Sequence, residues 1–226
     1  MNFLLLANTG LFSGIEADEI KKALECLGFE KRPFAKGEKV FRAGKIVQSF
    51  ALVLSGSVII ENTDFWGNIS VLDKIGAGHT CAETYAFAEG EALMVDVTAT
   101  EQSEVLFLNA KRVMTVCSRA CSYHNKLIRN LLFIFAQKNL HLSRRIFHTS
   151  SKSIRGRLMS YLSHRAAQCG SGTFCVPFNR QELADYLSVD RSALSNELSK
   201  MQKEGLLTTE KNRFCLNAGK SEIFTL

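Results

Sequence analysis

The chain has 226 residues, which is enough for two domains with a modest hydrophobic core each. Its 46% hydrophobic and 22% charged content is ordinary for a folded protein and excludes a chain dominated by disorder. The excess of 28 Lys and Arg over 22 Asp and Glu gives a net charge of +6, which favours phosphate-rich partners without establishing them.

No targeting or membrane-spanning segment is predicted. The apolar run at residues 3–7 lacks a basic flank and a cleavage signature, and the run at 131–136 is far short of the roughly 20 apolar residues that a membrane helix needs. We therefore expect a cytoplasmic protein with no membrane partner. Its seven cysteines are expected to be reduced thiols rather than a disulfide framework.

The N-terminal half is predicted to be rich in β-structure. An amphipathic helix is predicted over residues 13–27, and short apolar runs separated by glycines then recur from Phe29 to Leu108. Strands this short and this regularly punctuated are typical of a barrel or roll. The runs begin near residues 40, 49, 58, 69, 95 and 105.

A long helix is predicted from about Tyr123 to Ile146. Its apolar residues recur with alternating spacings of four and three, which is the heptad seam of a parallel two-stranded coiled coil. Leu127, Leu131 and Ile134 form a competing stripe, so the alternatives are a helix packed on its own roll, or one that uses both stripes. The predicted dimer residues, in which Asn139 would fix the register, are Ile128, Leu132, Phe135, Asn139, Leu142 and Ile146.

The C-terminal region is predicted to begin after a polar linker, His148 to Lys152, which we interpret as a hinge. A helix over residues 153–168 and a strand over 173–178 follow. Residues 206–216 are predicted to form two short strands, the wing of a winged helix.

Residues 179–207 are predicted to form two short helices joined by a tight turn, a helix-turn-helix. Asn179 and Glu182 have the spacing of a capping box, which would start the first helix. Asp190 is placed to cap the second helix, whose apolar residues are spaced so that they point inward together.

The outward face of the second helix begins with short polar groups and one Arg, at the end where a recognition helix reaches base edges. Arg can bind guanine bidentately and Asn can bind adenine in the same way, whereas wing cations would contact phosphates. The alternative is a solvated helical hairpin, because these are ordinary surface residues. The predicted DNA-binding residues are Arg180, Gln181, Arg191, Ser192, Ser195, Asn196, Ser199, Lys211 and Arg213.

These motifs resemble those of the CRP/FNR transcription regulators. The match rests on NRQELA at 179–184, VDRS at 189–192 and KEGLL at 203–207, and on the turn glycines of the N-terminal half. The resemblance implies an α+β fold with a double-stranded β-helix, a jelly-roll-like β-roll, as its N-terminal sensor domain. The implied domains are that roll at 1–120, a dimerisation helix at 121–147 and a winged helix-turn-helix at 148–226.

The resemblance implies a homodimeric regulator rather than an enzyme. Its implied partners are a palindromic operator in double-stranded DNA, RNA polymerase and a small-molecule effector. Effector binding would bias two dimer arrangements that DNA distinguishes. Many relatives carry Ser-Arg where this chain has Ser195-Asn196, so its half-site is expected to differ. The alternative is a ligand-binding protein of the same fold that acts through protein contacts, which would lack the steep salt dependence of DNA binding.

The effector stretch departs from that of the family's cyclic AMP binders. Those proteins use Gly-Glu for the ribose and Arg-Ser for the cyclic phosphate, whereas this chain has Ala82-Glu83 and Leu93-Met94. An apolar pair cannot compensate a buried phosphate charge, so cyclic AMP and cyclic GMP are not expected. Leu93 and Met94 indicate an apolar or aromatic effector, a closed pocket, or plain core packing. The predicted effector-pocket residues are Glu83, Thr84, Leu93, Met94, Leu142 and Ser143, of which the last two replace a Thr-Ser pair.

No resident cofactor or metal is predicted. Cys81 near His79 is a weak candidate for haem ligation, and the N-terminal cysteine cluster of the oxygen-sensing branch is absent. Cys117, Cys121 and His124 have spacings of four and three, which would place them on one helical face as zinc ligands or as a redox site. No fourth ligand is evident, and plain burial is the alternative.

Overall fold

The computed structural model describes residues 2–63, 65–66, 69–115 and 122–217. The chain divides into two compact units, Met1–Ala136 and Gln137–Leu226, and the division falls inside one long helix. Within the described ranges, no helix combines the length and the apolar character that crossing a lipid bilayer requires.

The first unit is a β-roll with helices. Its strands are β1 (Phe29–Phe34), β2 (Lys39–Phe41), β3 (Ser49–Ser55), β4 (Ser57–Thr63), β5 (Ile69–Gly76), β6 (Thr80–Cys81), β7 (Asp96–Ala99) and β8 (Ser103–Asn109). They form two four-stranded antiparallel sheets, in the orders β1-β8-β3-β6 and β2-β7-β4-β5. All six apolar runs lie in strands, and the predicted roll is confirmed.

The helices of the first unit lie at both ends of its sequence and between its strands. The helices are α1 (Phe3–Ala7), α2 (Ala17–Leu27), α3 (Glu83–Phe87), α4 (Ala110–Met114) and the first half of α5 (Ser122–Thr149). The helix predicted over residues 13–27 begins later, at Ala17, because Glu16 and Glu19 form a capping box at that point. The predicted domain boundaries at residues 120 and 147 stay predictions.

The alternation of side chains along two central strands gives the first unit two cores. In β8, Val105 and Phe107 point into the roll, whereas Leu106 and Leu108 point toward the helices. Strand β3, which pairs with β8, divides its side chains in the same way. The helix-side core therefore consists of one face of a sheet covered by α2 and α5.

Helix α5 uses its two apolar stripes differently. Leu127 and Leu131 are buried in the helix-side core, so the competing stripe packs on the chain's own roll. Leu132 is 65% exposed, on the predicted seam. The expectation for Phe135 is corrected in part, because its ring packs on Phe87 with the centroids 5.7 Å apart and is half-buried in its own unit.

The second unit is a winged helix that includes the end of α5. Its further elements are α6 (Ile154–Cys169), β9 (Thr173–Cys175), α7 (Arg180–Leu187), α8 (Arg191–Lys203), β10 (Leu207–Glu210) and β11 (Arg213–Leu216). The three strands form a sheet in the order β10-β11-β9. The two predicted helices and the two wing strands are thus confirmed, around a single core that contains residues of all three helices and the sheet.

Replacing Leu127 by Ala should destabilise the first unit by about 2–5 kcal/mol, because the side chain is only 1% exposed and its removal leaves a cavity. Denaturant unfolding followed by far-ultraviolet circular dichroism would measure the loss. The exposed neighbour Arg129 provides the control, since Arg129→Ala should change stability by less than about 0.5 kcal/mol. Equal effects of the two changes would contradict the packing described for α5.

Candidate nucleic-acid interface

Side-chain caps fix where both helices of the helix-turn-helix begin. Asn179 Oδ1 accepts from the Glu182 amide at 3.0 Å, and Glu182 Oε2 accepts from the Asn179 amide at 2.8 Å, so the predicted capping box is confirmed. Ser188 adopts the left-handed conformation that ends α7. Asp190 Oδ1 then accepts from the Ala193 amide at 2.9 Å, as predicted, and α8 begins at the next residue.

Helix α8 buries one face and exposes the opposite one. Leu194, Leu198 and Met201 are buried against the apolar residues of α7. At 100° per residue, Ser192, Asn196 and Ser199 are on the far side of the helix, and all three are exposed. Ser192, Asn196 and Ser199 therefore share one outward face, whereas Arg191 is exposed at the start of the helix and to one side of that face.

The polar side chains of α8 differ in how far they are already engaged. Arg191 and Asn196 are exposed and make no hydrogen bond or ion pair to any residue that the structure describes. The Ser192 hydroxyl donates to Asp190, which with the Ala193 amide lowers the pKa of that carboxyl. Ser199 Oγ donates to the Ser195 carbonyl at 2.9 Å. The two side chains able to bind a base bidentately are thus the free ones.

Two carboxylates next to this face are held by one arginine. Arg155 of α6 donates to Glu197 Oε1 at 2.6 Å and bidentately to both oxygens of Glu204, at 2.7 and 2.8 Å. The Arg155 hydrogen bond lowers the pKa of Glu204, and the two carboxylates in turn raise the pKa of Arg155. Negative charge close to α8 is therefore neutralised within the domain.

The wing presents two cations at its tip. Lys211, at φ +52°, and Asn212 form the turn between β10 and β11, and the side chains of Lys211 and Arg213 are exposed. Asn212 is attached to the residue that follows β9, since its carbonyl accepts from the Val176 amide at 2.9 Å and its Nδ2 donates to the Val176 carbonyl at 3.3 Å.

Two residues predicted to contact DNA are engaged inside the domain. Arg180 Nη2 donates to Thr209 Oγ1 at 2.8 Å, and burial lowers the pKa of this guanidinium. Gln181 is exposed, and its Nε2 donates to Asp185 Oδ1 at 2.9 Å. Neither residue is as free to bind an external group as Arg191 or Asn196.

Sequence reasoning missed two arginines that hold the end of α7. Arg145 of α5 donates to the Asp185 and Tyr186 carbonyls, both at 3.2 Å. Arg157 of α6 donates to the Leu187 and Ser188 carbonyls at 3.0 and 2.8 Å. No local pattern could identify these contacts, because the acceptors are backbone carbonyls 30 to 41 residues away.

The predicted linker also needs correction at its first residue. His148 belongs to α5 and is 1% exposed, so the non-helical connection is shorter, over residues 150–153. Its ring lies between Tyr161 and His164 of α6, with centroid distances of 5.5 and 5.1 Å, and Nδ1 is 3.1 Å from Ser160 Oγ. Aromatic packing thus extends the helix through a stretch whose composition is that of a loop.

Comparison with known proteins agrees with both units. Residues 31–120 match the cyclic nucleotide-binding domain, and residues 156–218 match the Crp-like helix-turn-helix domain. The chain belongs to the CRP/FNR family. It is therefore a member of a family of DNA-binding transcription regulators whose members bind DNA as dimers and contact RNA polymerase.

Individual relatives of this CRP/FNR protein are distant. It is 25% identical over 197 residues to the cyclic AMP receptor protein of Thermus thermophilus, covering 87% of each chain. It is 24% identical over 208 residues to the fumarate and nitrate reduction regulatory protein of Escherichia coli, covering 86% of this chain and 76% of that one. The c-di-GMP responsive regulator CLP of Xanthomonas campestris has a similar fold, with a TM-score of 0.55, 22% identity and coverage of 90% and 100%.

The residues predicted to form an effector pocket differ in how far their side chains are exposed and in which unit they belong to. Glu83 and Leu93 are both 2% exposed, and Leu93 belongs to the interior of the roll. Thr84 is exposed, and Met94 is corrected, because its side chain is 76% exposed and points out of the loop before β7. Leu142 and Ser143 belong to the second unit and are exposed there, so their place in a pocket stays a prediction.

The metal-ligand candidates are separated or fall outside the described residues. His79 is exposed with Nδ1 3.2 Å from the Ala77 carbonyl, whereas Cys81 is buried. Cys117 and Cys121 lie outside the described residues, so their grouping with His124 is untested. Across the part of the chain that the structure describes, no three His, Cys, Asp or Glu side chains are grouped so that they could hold a metal ion.

The second unit should lose stability as the pH falls below about 6.5. Burial first, then the charge of His164 and that of Arg144, keeps the pKa of His148 below the ordinary value of 6.5. Burial first, then the charges of Arg144 and Arg165, lowers the pKa of His164. The groups packed around them include Tyr161 and Tyr186, which burial keeps protonated. The unfolded chain therefore takes up protons first, so stability is full above pH 6.5 and is lost below it.

Hydrogen exchange of α6 amides, corrected for the intrinsic pH dependence, would measure this loss between pH 7.5 and pH 5.5. Changing His164 to Gln should reduce the difference in protection between the two pH values. His79→Gln, at an exposed position in the first unit, is the control and should leave the difference unchanged. Protection that is equal at both pH values in the unaltered protein would contradict the expectation.

Proposed function

We propose that this protein regulates transcription by binding, as a homodimer, a palindromic operator whose half-sites are read by α8. The observation that carries the proposal is that Arg191, at the start of α8, and Asn196, on its outward face, are both exposed and have no partner among the described residues. Unengaged Arg and Asn heads on one exposed helix suit bidentate binding to guanine and adenine. Ser192, Ser195 and Ser199 are short enough to let the helix approach the groove.

The wing supports the proposal with contacts of a different kind. Lys211 and Arg213 project from a short exposed turn, where they would pair with phosphates and add affinity without reading sequence. RNA polymerase would be the second macromolecular partner, as it is for the family. Duplex DNA and RNA polymerase are together the partners of a protein that regulates transcription while bound to DNA.

The proposed dimer forms through the exposed stripe of α5. Leu132, Leu142 and Ile146 are 65%, 58% and 69% exposed in a single chain. Large side chains in a row at such exposure are typical of a surface that another chain covers. Asn139, exposed on the same stripe, would fix the register of two parallel helices. Ile128 would extend the seam toward the N-terminal end of α5, whereas Phe135 packs on Phe87 of its own unit.

We also propose an effector other than cyclic AMP. Leu93 is held in the interior of the roll, since its carbonyl accepts from the Gly44 amide at 2.7 Å and its amide donates to the Lys45 carbonyl at 2.9 Å. No cation replaces the Arg of the family's cyclic phosphate site in this stretch. An apolar small molecule, a redox signal or haem is the proposed class, and saturable binding of labelled cyclic AMP to the purified protein would refute it.

Selection of bound sequences from random duplex DNA tests the function directly. The expected result is an enriched inverted repeat with half-sites about one helical turn apart. Arg191→Ala should relax the preference at one base pair of each half-site, with a loss of about 5- to 150-fold against the preferred base. Lys22→Ala, at an exposed position in the first unit, is the control and should leave the selected sequence unchanged. Failure to enrich any sequence would refute the proposal.

The dimer is tested by placing a charge on the proposed seam. Ile146→Asp should shift sedimentation toward the monomer and weaken operator binding, because a carboxylate would be buried between two helices. Gln137→Asp, an exposed change off the seam on the same helix, should leave the dimer intact. A dimer that survives Ile146→Asp at micromolar concentration would show that another surface holds the two chains together.

A further inference from the structure

The side chain of Arg180, the first residue of α7, extends to the wing of its own domain. Its Nη2 donates to Thr209 Oγ1 at 2.8 Å, and its Cζ lies 5.1 Å from the centroid of the Phe214 ring. Thr209 and Phe214 are directly opposite each other in the pairing of β10 with β11. The guanidinium therefore covers one cross-strand pair of the wing.

The chemistry of this contact requires arginine. The planar guanidinium donates to a hydroxyl at its edge while its face lies over an aromatic ring, which a lysine ammonium cannot do in the same way. Phe214 is fully buried and stacks on Phe174, so the ring under Arg180 is fixed in place. Arg180 itself is only partly exposed. The guanidinium of Arg180 is thus bound to two fixed groups of its own domain, the Thr209 hydroxyl and the Phe214 ring.

The covered pair is close to the proposed phosphate-binding tip. Lys211 is two residues after Thr209, and Arg213 immediately precedes Phe214. On its other side, the turn is attached to the residue after β9 through the two Asn212 hydrogen bonds with Val176. The tip is therefore attached through Asn212 to Val176, directly after β9, and through Arg180 to α7.

We propose that Arg180 is a positioning residue, which fixes the wing against α7 so that Lys211 and Arg213 reach phosphates, and that it is not a DNA ligand itself. This inference rests on the proposed function and revises the sequence-based expectation that Arg180 contacts DNA. A direct phosphate ligand would act independently of the wing tip. A positioning residue acts only through it.

A double-mutant cycle on salt dependence separates the two roles. Operator affinity is measured at several salt concentrations for the unaltered protein, Lys211→Ala, Arg180→Met and the double variant. In the unaltered background, Lys211→Ala should lower the slope of log affinity against log salt by about 0.9, the value for one phosphate contact. In the Arg180→Met background, the same change should lower the slope by less than half as much.

Two further variants test the contact without removing the charge. Arg180→Lys keeps the charge but loses the planar donor, and it should behave like Arg180→Met. Thr209→Val removes the hydroxyl acceptor and should shift the slope in the same direction, even if Arg180→Met proves unable to fold. Lys200→Met, on the exposed side of α8, is the matched control and should combine additively with Lys211→Ala.

Several outcomes would overturn the inference. An equal effect of Lys211→Ala in both backgrounds, or unaltered binding by Arg180→Lys, would make Arg180 a direct ligand. An unaltered slope for Lys211→Ala alone would mean that the tip does not contact DNA, and the inference would fail with it. Any of these results leaves operator binding in place, whereas a protein that binds no duplex selectively refutes the proposed function instead.

Discussion

The turn of the helix-turn-helix depends on how the carbonyl end of α7 is satisfied. The last carbonyls of a helix lack partners inside it and together carry partial negative charge. Here the carbonyls of residues 185–188 all accept from arginines, two from Arg145 and two from Arg157. Because cations cover that end, Ser188 can turn the chain at once, and Asp190 can start the next helix two residues later.

The same contacts join three helices at one point. Arg145 belongs to the last turns of α5, Arg157 to the first turn of α6, and their acceptors to the end of α7. Arg157 also donates to the Ser151 carbonyl at 2.8 Å, so the connection between α5 and α6 is fixed to this point as well. His148 adds packing beside it, through Tyr161 and Tyr186. The end of α5 and the helix-turn-helix therefore form one packed structure rather than two bodies on a flexible hinge.

The sequence predicted features that depend on residues close together along the chain. It did not predict contacts between residues far apart along the chain. The capping box at Asn179, the cap at Asp190 and the strand runs are set by residues within a few positions, and all were predictable. The partners of Arg145 and Arg180 are backbone and side-chain groups 29 to 41 residues away, which no local pattern encodes. Strand β1 was missed because its exposed, polar, proline-containing run carries no apolar alternation.

The effector and dimer residues stay predictions for a related reason, which is that spacing gives the face of an element but not what covers it. Phe135 has the spacing of the seam, yet its own roll offers Phe87 as a closer partner. Leu93 and Met94 are adjacent in sequence, but one is buried and the other points outward. A heptad pattern or a motif position therefore predicts which side chains are neighbours along an element. It does not predict which of two available surfaces each of them contacts.

The charged groups around α8 differ from Arg191 and Asn196 in what they would contribute to DNA binding. The charged groups would affect overall affinity, and Arg191 and Asn196 would affect the choice of sequence. Glu197 and Glu204 would repel a phosphate backbone, but Arg155 binds both, whereas Lys200, Lys203 and the wing cations are exposed. Arg191 and Asn196 make no such pairs, which is what the proposed base contacts require. Losing the Arg155 contacts would thus weaken DNA binding in two ways. It would leave two carboxylates beside α8 without their cation, and it would loosen the packing of α6, the helix from which Arg157 binds the turn.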